Sequence, residues 1–316
     1  MEDLREIRRR LAVIQTTGQV TKTMRTIAAT NLKRAEPRVG KAEEYARGLV
    51  EIMNRVTGQV TGRWGIAGLL RNEPGPSTPC YLVITSDKGL AGGYAINVVE
   101  AALDHYREVL AQGVPPNAGT PLAVPIGVKG ARMLRRRGWR ILGPGFDAPD
   151  RPEVTAAESV ARYILEVYQE GEAGIIFMAY TRFVSTGARN PVVERLLPPE
   201  SPEGKGQDGE EPGGGSAPDK GPSNGPSKMP SALTIFEPAP RSLARRAILE
   251  YLVARIFSAM VHAKASEFAA RLLAMESASD SAEEMAKELS FLYHRARQAE
   301  ITQEISEIIT GHESLR

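Results

Sequence analysis

The last part of the chain is a long segment whose apolar residues recur at steps of three and four. From residue 241 to 310 it contains neither proline nor glycine, which is typical of an uninterrupted helix. The recurring apolar residues are Leu249, Leu252, Ile256, Met260, Phe268, Leu272, Met275, Met285, Leu289, Leu292, Ala296, Ile301, Ile305 and Ile308. This spacing puts them on one face of a helix. We therefore predict one continuous helix over residues 241–311, with an apolar stripe that needs a partner.

The other end of the chain supplies that partner. Residues 1–57 have the same periodicity, carried by Leu4, Ile7, Leu11, Ile14, Met24, Ala28, Leu32 and Ala35. We expect the two terminal helices to pair as an antiparallel coiled coil with a weak seam, because Gly18, Thr21 and Arg25 interrupt the apolar register. Pro37 lacks a backbone N–H donor, so a bend or a local break is expected there, with Gly40 easing it.

The middle of the chain, residues 78–198, alternates short apolar runs with amphipathic segments. Strands are predicted at 81–85, 122–128, 139–142, 174–181 and 192–197, with helices at 95–110, 130–137 and 152–170. Strands that alternate with helices indicate a mostly parallel sheet. The predicted fold class is α/β: a long antiparallel coiled coil of N- and C-terminal helices plus a central Rossmann-like domain with a mostly parallel sheet.

Two further segments separate this domain from the last helix. Residues 199–231 are rich in Pro, Gly, Ser and charged residues, a composition typical of a disordered insertion. Residues 232–240 include a short apolar run at 232–236 and are predicted to form a return strand.

Composition narrows the function classes. No apolar run approaches the 18 residues of a membrane-spanning helix, and the charged N-terminus is unlike a secretory signal. The single cysteine, Cys80, opens an apolar strand and is expected to be buried. The first helix carries a basic cluster, Arg8 to Arg10, Lys22, Arg25, Lys33, Arg34 and Arg38, that could face nucleic acid, an acidic protein surface or water. Nucleic acid is disfavoured, since no aromatic residues or known binding motifs accompany the cluster.

The residues from Ser86 to Gly93 form a glycine-rich turn between a strand and a helix, where α/β folds often bind phosphates. The turn contains neither GxGxxG nor GxxxxGK[ST], so a tight start to the helix with close backbone packing explains its glycines equally well. The four histidines are dispersed without metal-ligand spacing. We therefore predict no catalytic site, no cofactor and no metal in this chain.

Three segments of the sequence resemble the gamma subunit of rotary F-type ATP synthases. They are residues 7–34 (with KTMRTIAA), 84–93 (ITSDKGLAGG) and 265–309 (with ASEFAARLLAM and RQAEITQEI). The resemblance implies a central rotor shaft that couples ion-driven rotation of a membrane c ring to ATP synthesis or hydrolysis. The implied partners are the alpha and beta subunits, the epsilon subunit and the c ring, on the cytoplasmic face of the cell membrane. Ala91, where the family usually has cysteine, and the 199–231 insertion depart from the pattern.

The resemblance also implies roles for particular residues. Contacts with the beta subunit are expected from Lys22, Met24, Arg25, Arg271, Gln298, Thr302 and Glu304, and a contact with the c ring or epsilon from Glu237. Ordinary polar flanking of a coiled coil is the alternative explanation for these residues. Two rival functions also remain: a Rossmann-type enzyme that uses the Gly89–Gly93 loop, and a static scaffold or nucleic-acid clamp.

Overall fold

The computed structural model describes residues 4–57, 78–111, 120–199 and 240–313. Five helices and five strands lie in these ranges. The helices are α1 (Leu4–Thr57), α2 (Tyr94–Ala111), α3 (Val128–Arg136), α4 (Val154–Gln169) and α5 (Pro240–Glu313). The strands are β1 (Pro79–Ile84), β2 (Leu122–Ile126), β3 (Arg140–Ile141), β4 (Ile175–Phe183) and β5 (Arg189–Leu197). Glu237, the 199–231 insertion beyond its first residue, and the predicted return strand lie outside the described residues.

The five strands form one sheet in the order β3-β2-β1-β4-β5. β1 is parallel to both of its neighbours, with Leu82 opposite Val124 of β2 and Met178 of β4. β3 is also parallel to β2, and only the edge strand β5 runs antiparallel. The mostly parallel sheet between two terminal helices confirms the predicted fold class.

The sheet is covered on both faces, which explains why every residue of β1 is buried. Tyr81 and Val83 point to a core shared with α2 and α3. Cys80, Leu82 and Ile84 point to the opposite core, where they pack with α4 and with residues 248–263 of α5. The C-terminal helix is therefore part of the domain core as well as half of the coiled coil, so the domain and the coiled coil are joined by packing.

The first helix runs without interruption through Pro37. The expectation of a local break at Pro37, the alternative to a bend, is therefore wrong. Residues on either side of the proline are held by tertiary packing, because Leu32, Val39 and Ala42 are buried against Val261, Ala265 and Phe268 of α5. Burial of this apolar surface offsets the local cost of about 3 kcal/mol for proline inside a helix.

Candidate functional site

The two terminal helices pair in an antiparallel register that three contacts define. A Cβ atom placed on Gly18 would lie 3.5 Å from the Cβ of Ala282. Arg25 lies 3.7 Å from Glu276, and Glu43 lies 2.9 Å from His262. As numbers rise along α1, they fall along α5. The predicted antiparallel pairing is therefore present from Glu43, beside the domain, to Gly18 of α1.

The free end of α5 differs from the paired part. Every residue from 297 to 310 is exposed. The exposed set includes large apolar side chains that the sequence pattern assigned to the buried stripe, with Ile305 52% and Ile308 71% exposed. Within the described residues, α1 covers only part of the predicted stripe. The expectation that the N-terminal helix would pair with all of it is therefore wrong, because α1 is shorter than α5 by 20 residues, 54 against 74.

Three of the predicted contact residues lie on this free end. Gln298, Thr302 and Glu304 are all exposed. The hydroxyl of Thr302 donates to the backbone carbonyl of Gln298 at 2.8 Å, a bond made within the helix. The amide of Gln298 and the carboxylate of Glu304 thus project from a helix end that mixes polar and apolar groups.

The predicted contact residues of α1 lie farther from the free end. Lys22 is exposed, and Met24 and Arg25 are half-buried at the seam. Arg25 forms an ion pair with Glu276 of α5, in which the two side chains are 36% and 50% exposed. Lys22 faces the same helix, since together with Lys287 it lowers the pKa of Glu283. The acidic residues of α5 therefore balance part of the positive charge of α1.

Arg271 is engaged inside the chain. Its guanidinium donates to Glu267 Oε1 at 2.7 Å and to the carbonyl oxygen of Gly89 at 3.1 Å. Only 12% of the Arg271 side chain is exposed. The structure thus brings Arg271 together with the glycine-rich turn and places it apart from Gln298, Thr302 and Glu304.

Arg271 belongs to a buried charge network that ties α5 to the loops of the domain. Glu267, 1% exposed, accepts from Lys264 Nζ at 2.7 Å as well as from Arg271. Lys264 also donates to the carbonyl oxygen of Ala148 at 3.0 Å and lies 3.8 Å from Asp150. A hydrogen bond from Lys88 holds the pKa of Asp150 below its usual value, although partial burial of the carboxylate acts in the opposite direction. Two loops of the domain are therefore joined to one face of α5 by charge-assisted bonds.

The glycine-rich turn is held by side chains of its own. The carboxylate of Asp87 accepts the backbone N–H of Val128 at 2.9 Å and that of Ala148 at 2.8 Å. Gly92 has a φ of 54°, a backbone conformation that glycine adopts without strain, and a Cβ placed there would lie at an ordinary contact distance of 3.7 Å from Ala274 of α5. Ala91 is buried at the same contact. These contacts favour the interpretation of the turn as a tight helix start that packs against α5.

A third link joins α1, α5 and β4. His262 is 3% exposed, and its Nδ1 accepts the backbone N–H of Phe183 at 3.3 Å. Nε2 therefore carries the proton and donates to Glu43 at 2.9 Å. Burial lowers the pKa of His262, although the carboxylates of Glu43 and Glu194 oppose this effect. A neutral histidine satisfies both partners at this junction.

Sequence reasoning missed the partners in these links, namely Lys264, Glu267, Asp150 and His262. One signal was available. Lys264 and Glu267 fall between Ala263 and Phe268, where charged residues interrupt an apolar face of the helix. The loop residue Asp150 gave no signal, because only the folded chain brings it next to Lys264.

Within the described ranges, no group of three or more His, Cys, Asp or Glu residues is arranged to hold a metal ion. None of the described helices is long and apolar enough to cross a membrane. Cys80 is buried as predicted, and burial raises the pKa of its thiol to about 12.

Known proteins are similar to this chain over nearly its whole length. The family model described as ATP synthase covers residues 3–315. The ATP synthase gamma chain of Moorella thermoacetica is 32% identical over 317 residues, with 100% of both chains covered. The gamma chain of Alkaliphilus metalliredigens is 31% identical and covers 99% of each.

Solved structures share the fold. A central stalk chain of the Tetrahymena thermophila mitochondrial ATP synthase has a TM-score of 0.56 at 20% identity, covering 82% of this chain and 99% of its own. A rotor chain of the Euglena gracilis mitochondrial enzyme has a TM-score of 0.58 at 14% identity, covering 94% of this chain and 98% of its own. The family model and the full-length relatives together show that the chain belongs to the family of ATP synthase gamma chains.

Proposed function

We propose that the chain is the central rotor shaft of an F-type ATP synthase and couples ion-driven rotation of a c ring to ATP synthesis or hydrolysis in an alpha3beta3 head. The observation that carries this proposal is the uncovered end of α5. Ile301, Ile305 and Ile308 are exposed there over a stretch with no partner among the described residues. Exposed apolar surface of this kind marks a protein interaction site.

The chemistry of this end suits a surface that turns against its housing. Exposed isoleucines, among them Ile301, Ile305 and Ile308, alternate with polar side chains along this end. We assign contacts with the beta subunit to Gln298, Thr302 and Glu304 at the free end, and to Lys22, Met24 and Arg25 on α1. An ion pair at such an exposed surface contributes only about 0–1 kcal/mol, so each contact can be released as the shaft turns.

Arg271, the remaining residue expected to contact the beta subunit, differs from the others because it is already bonded inside the chain. Its guanidinium already has two partners within the chain, Glu267 and the carbonyl of Gly89. We propose that Arg271 meets the beta subunit while holding the glycine-rich turn in place. Substitution of Arg271 should then alter the fit of the domain on α5 and the contact with the head together.

The remaining assignments extend to the assembly. Solved relatives of the same fold carry the descriptions central stalk, c ring and rotor. We propose that the α/β domain of this chain likewise faces the epsilon subunit and the c ring, with Glu237 at that contact. The chain would be a peripheral, non-catalytic subunit of the F1 sector at the cytoplasmic face of the cell membrane. Catalysis would belong to the neighbouring head subunits, since the polar groups of Asp87 and Gly89 in the glycine-rich turn already bond within the chain.

Cysteine protection tests the position of the shaft. Ile305→Cys should react with a maleimide in the isolated chain and be protected in the purified alpha3beta3gamma complex. Val184→Cys, placed where valine is 63% exposed in the domain, serves as the matched control and should react in both. The native Cys80 should not interfere, because it is fully buried and its pKa is raised to about 12.

The same control position tests rotation. A bead attached at Val184→Cys should turn in one direction when ATP is added to complexes anchored through the beta subunit. Equal labelling of Ile305→Cys in the free chain and in the complex would contradict the proposed position of the shaft. An active complex whose bead never turns would contradict the rotor role.

A further inference from the structure

A concave cleft of about 480 Å³ opens on the α/β domain, away from the coiled coil. One wall is the start of α3 at Gly127 and Val128, directly after β2. The other is the loop 144–147, which follows β3. The cleft thus lies outside the carboxyl ends of β2 and β3, on the edge of the sheet that binds ligands in open α/β folds, one strand away from the point between β1 and β4 where the strand order reverses. Its volume is in the range of small-molecule sites, roughly 300–1,000 Å³.

Three arginines of α3 line this cleft, Arg132, Arg135 and Arg136. Their spacing of three and four positions places them on one side of the helix, where like charges repel one another. All three are exposed, and within the described parts of the chain none has an ion pair or a side-chain hydrogen bond. Exposed arginines on the other domain helices do have acidic partners, as Arg107 has Asp104 and Arg162 has Glu158.

The cleft is also preorganised. The Asp87 carboxylate accepts the N–H of Val128 from one wall and that of Ala148, next to the other wall. The following N–H groups of α3 are occupied as well, since Lys129 donates to the Ser86 carbonyl and Gly130 to the Thr85 hydroxyl. An anion in the cleft would therefore be bound by guanidinium groups rather than by the free N-terminus of a helix.

The charge of the lining limits the ligand. Asp147 is the one carboxylate that lines the cleft, against the three arginines, so the formal charge of the lining is +2. A planar guanidinium presents paired N–H donors that match the oxygens of a phosphate group. A concave site of this size suits a small molecule better than a flat membrane surface.

We propose that this cleft binds a small soluble molecule that carries a pyrophosphate or polyphosphate group. The site is separate from the shaft and from the glycine-rich turn at Gly89–Gly93. It requires no chemistry in the cleft, only recognition of a compact anion with two or more negative charges.

Calorimetric titration of the full-length chain with inorganic pyrophosphate tests this proposal. The wild-type chain should show saturable binding that weakens with added salt. The double variant Arg132→Gln/Arg136→Gln should lose at least about tenfold in affinity, because two charge-assisted contacts are removed. The matched control Arg107→Gln/Arg162→Gln removes the same charge from exposed arginines that have acidic partners, and should change the affinity less than about twofold.

The fold of each variant is checked in a Trp64→Phe background by the fluorescence of Trp139, which is buried in the core behind α3. If the glutamine variant is poorly folded, the double variant Arg132→Lys/Arg136→Lys takes its place in the test. It keeps both positive charges but lacks the paired N–H donors of the planar guanidinium, so it should bind pyrophosphate several-fold more weakly than the wild-type chain.

Three results would overturn the proposal: no saturation by millimolar pyrophosphate, equal loss in the cleft variant and its control, or wild-type affinity in the lysine variant. A final arm uses vesicles with and without anionic phospholipid. Binding to the anionic vesicles without binding of pyrophosphate would identify a lipid headgroup as the ligand and reject a soluble one.

Discussion

Neutralising Glu267 should loosen the attachment of α5 to the domain more than any other single charge change on this helix. The substitution Glu267→Gln keeps the size of the side chain and removes its charge. Lys264, whose side chain is 6% exposed, would then remain a buried cation with the Ala148 carbonyl at 3.0 Å and Asp150 at 3.8 Å. Arg271 would keep its bond to Gly89 and lose its carboxylate partner.

The expected cost follows from this geometry. Removing one partner of a buried ion pair typically costs about 3–5 kcal/mol, because the other charge is left uncompensated. Asp150 offers Lys264 partial compensation, so we expect the lower end, about 3 kcal/mol. The double variant Lys264→Met/Glu267→Gln leaves no buried cation at position 264 and should recover part of this loss, while the part that comes from Arg271 remains.

The assay is urea unfolding of the full-length chain in a Trp64→Phe background, which leaves Trp139 in the domain core as the only tryptophan whose fluorescence is followed. Glu283→Gln is the matched control, because Glu283 pairs with Lys287 at 2.8 Å on the same helix while both side chains are at least 70% exposed. The unfolding midpoint of this control should equal that of the wild-type chain.

Two results would refute the reasoning. The first is a midpoint for Glu267→Gln as high as that of the Glu283→Gln control. The second is a double variant no more stable than Glu267→Gln, which would show that the uncompensated charge of Lys264 is not the source of the loss.

Three further predictions concern the coiled coil and the domain loops. Gly18→Ala should stabilise the chain by about 0.5–1 kcal/mol, because alanine favours a helix more than glycine does and the new Cβ would meet Ala282 at an ordinary distance of 3.5 Å. Gly48→Ala, whose new Cβ would meet open space, is the control, and a lower melting temperature for Gly18→Ala alone would contradict this prediction. Burial lowers the pKa of His262, so as the pH falls the imidazole is protonated in the unfolded chain before it is protonated in the folded one, and stability should fall as the pH drops through the ordinary pKa of 6.5. Melting curves of His262→Gln should show a smaller fall in stability, and a fall identical to that of the wild-type chain would exclude His262 as its source. Asp87→Asn can accept only one of the two N–H bonds that the carboxylate accepts, and should cost about 1–3 kcal/mol in urea unfolding, with an unchanged midpoint counting against the described geometry.

Hydrophobic periodicity was sufficient to predict the architecture. Strand β1 could be located because Tyr81–Ile84 is a continuous apolar run, and both terminal helices because their apolar steps persist over many turns. The prediction failed at Pro37, where local backbone chemistry favoured a bend or break and burial of Leu32 and Val39 keeps the helix unbroken. It also failed at the end of α5, because periodicity indicates that a stripe is buried but does not identify the partner that covers it.

The charge network could not be predicted, for a different reason. Lys264 and Glu267 are visible in the sequence as charges on an apolar face, but their partners Ala148 and Asp150 lie more than a hundred positions away. Only the packing of α5 on the sheet brings these groups within bonding distance. Directional contacts between distant loops depend on the finished fold, whereas burial patterns can be read locally.

The two ends of α5 therefore differ in a way that matters for a rotating shaft. Where the helix joins the domain, Lys264 donates to the Ala148 carbonyl and Arg271 to the Gly89 carbonyl, so a twist of α5 relative to the sheet would break both of these charge-assisted bonds at once. Apolar packing alone is non-directional and would resist such a twist less. At the free end, Ile305 and Ile308 remain exposed without comparable bonds within the described chain. Torque applied to the domain would thus pass rigidly into the helix, and the helix would meet its housing through contacts weak enough to be exchanged at each step.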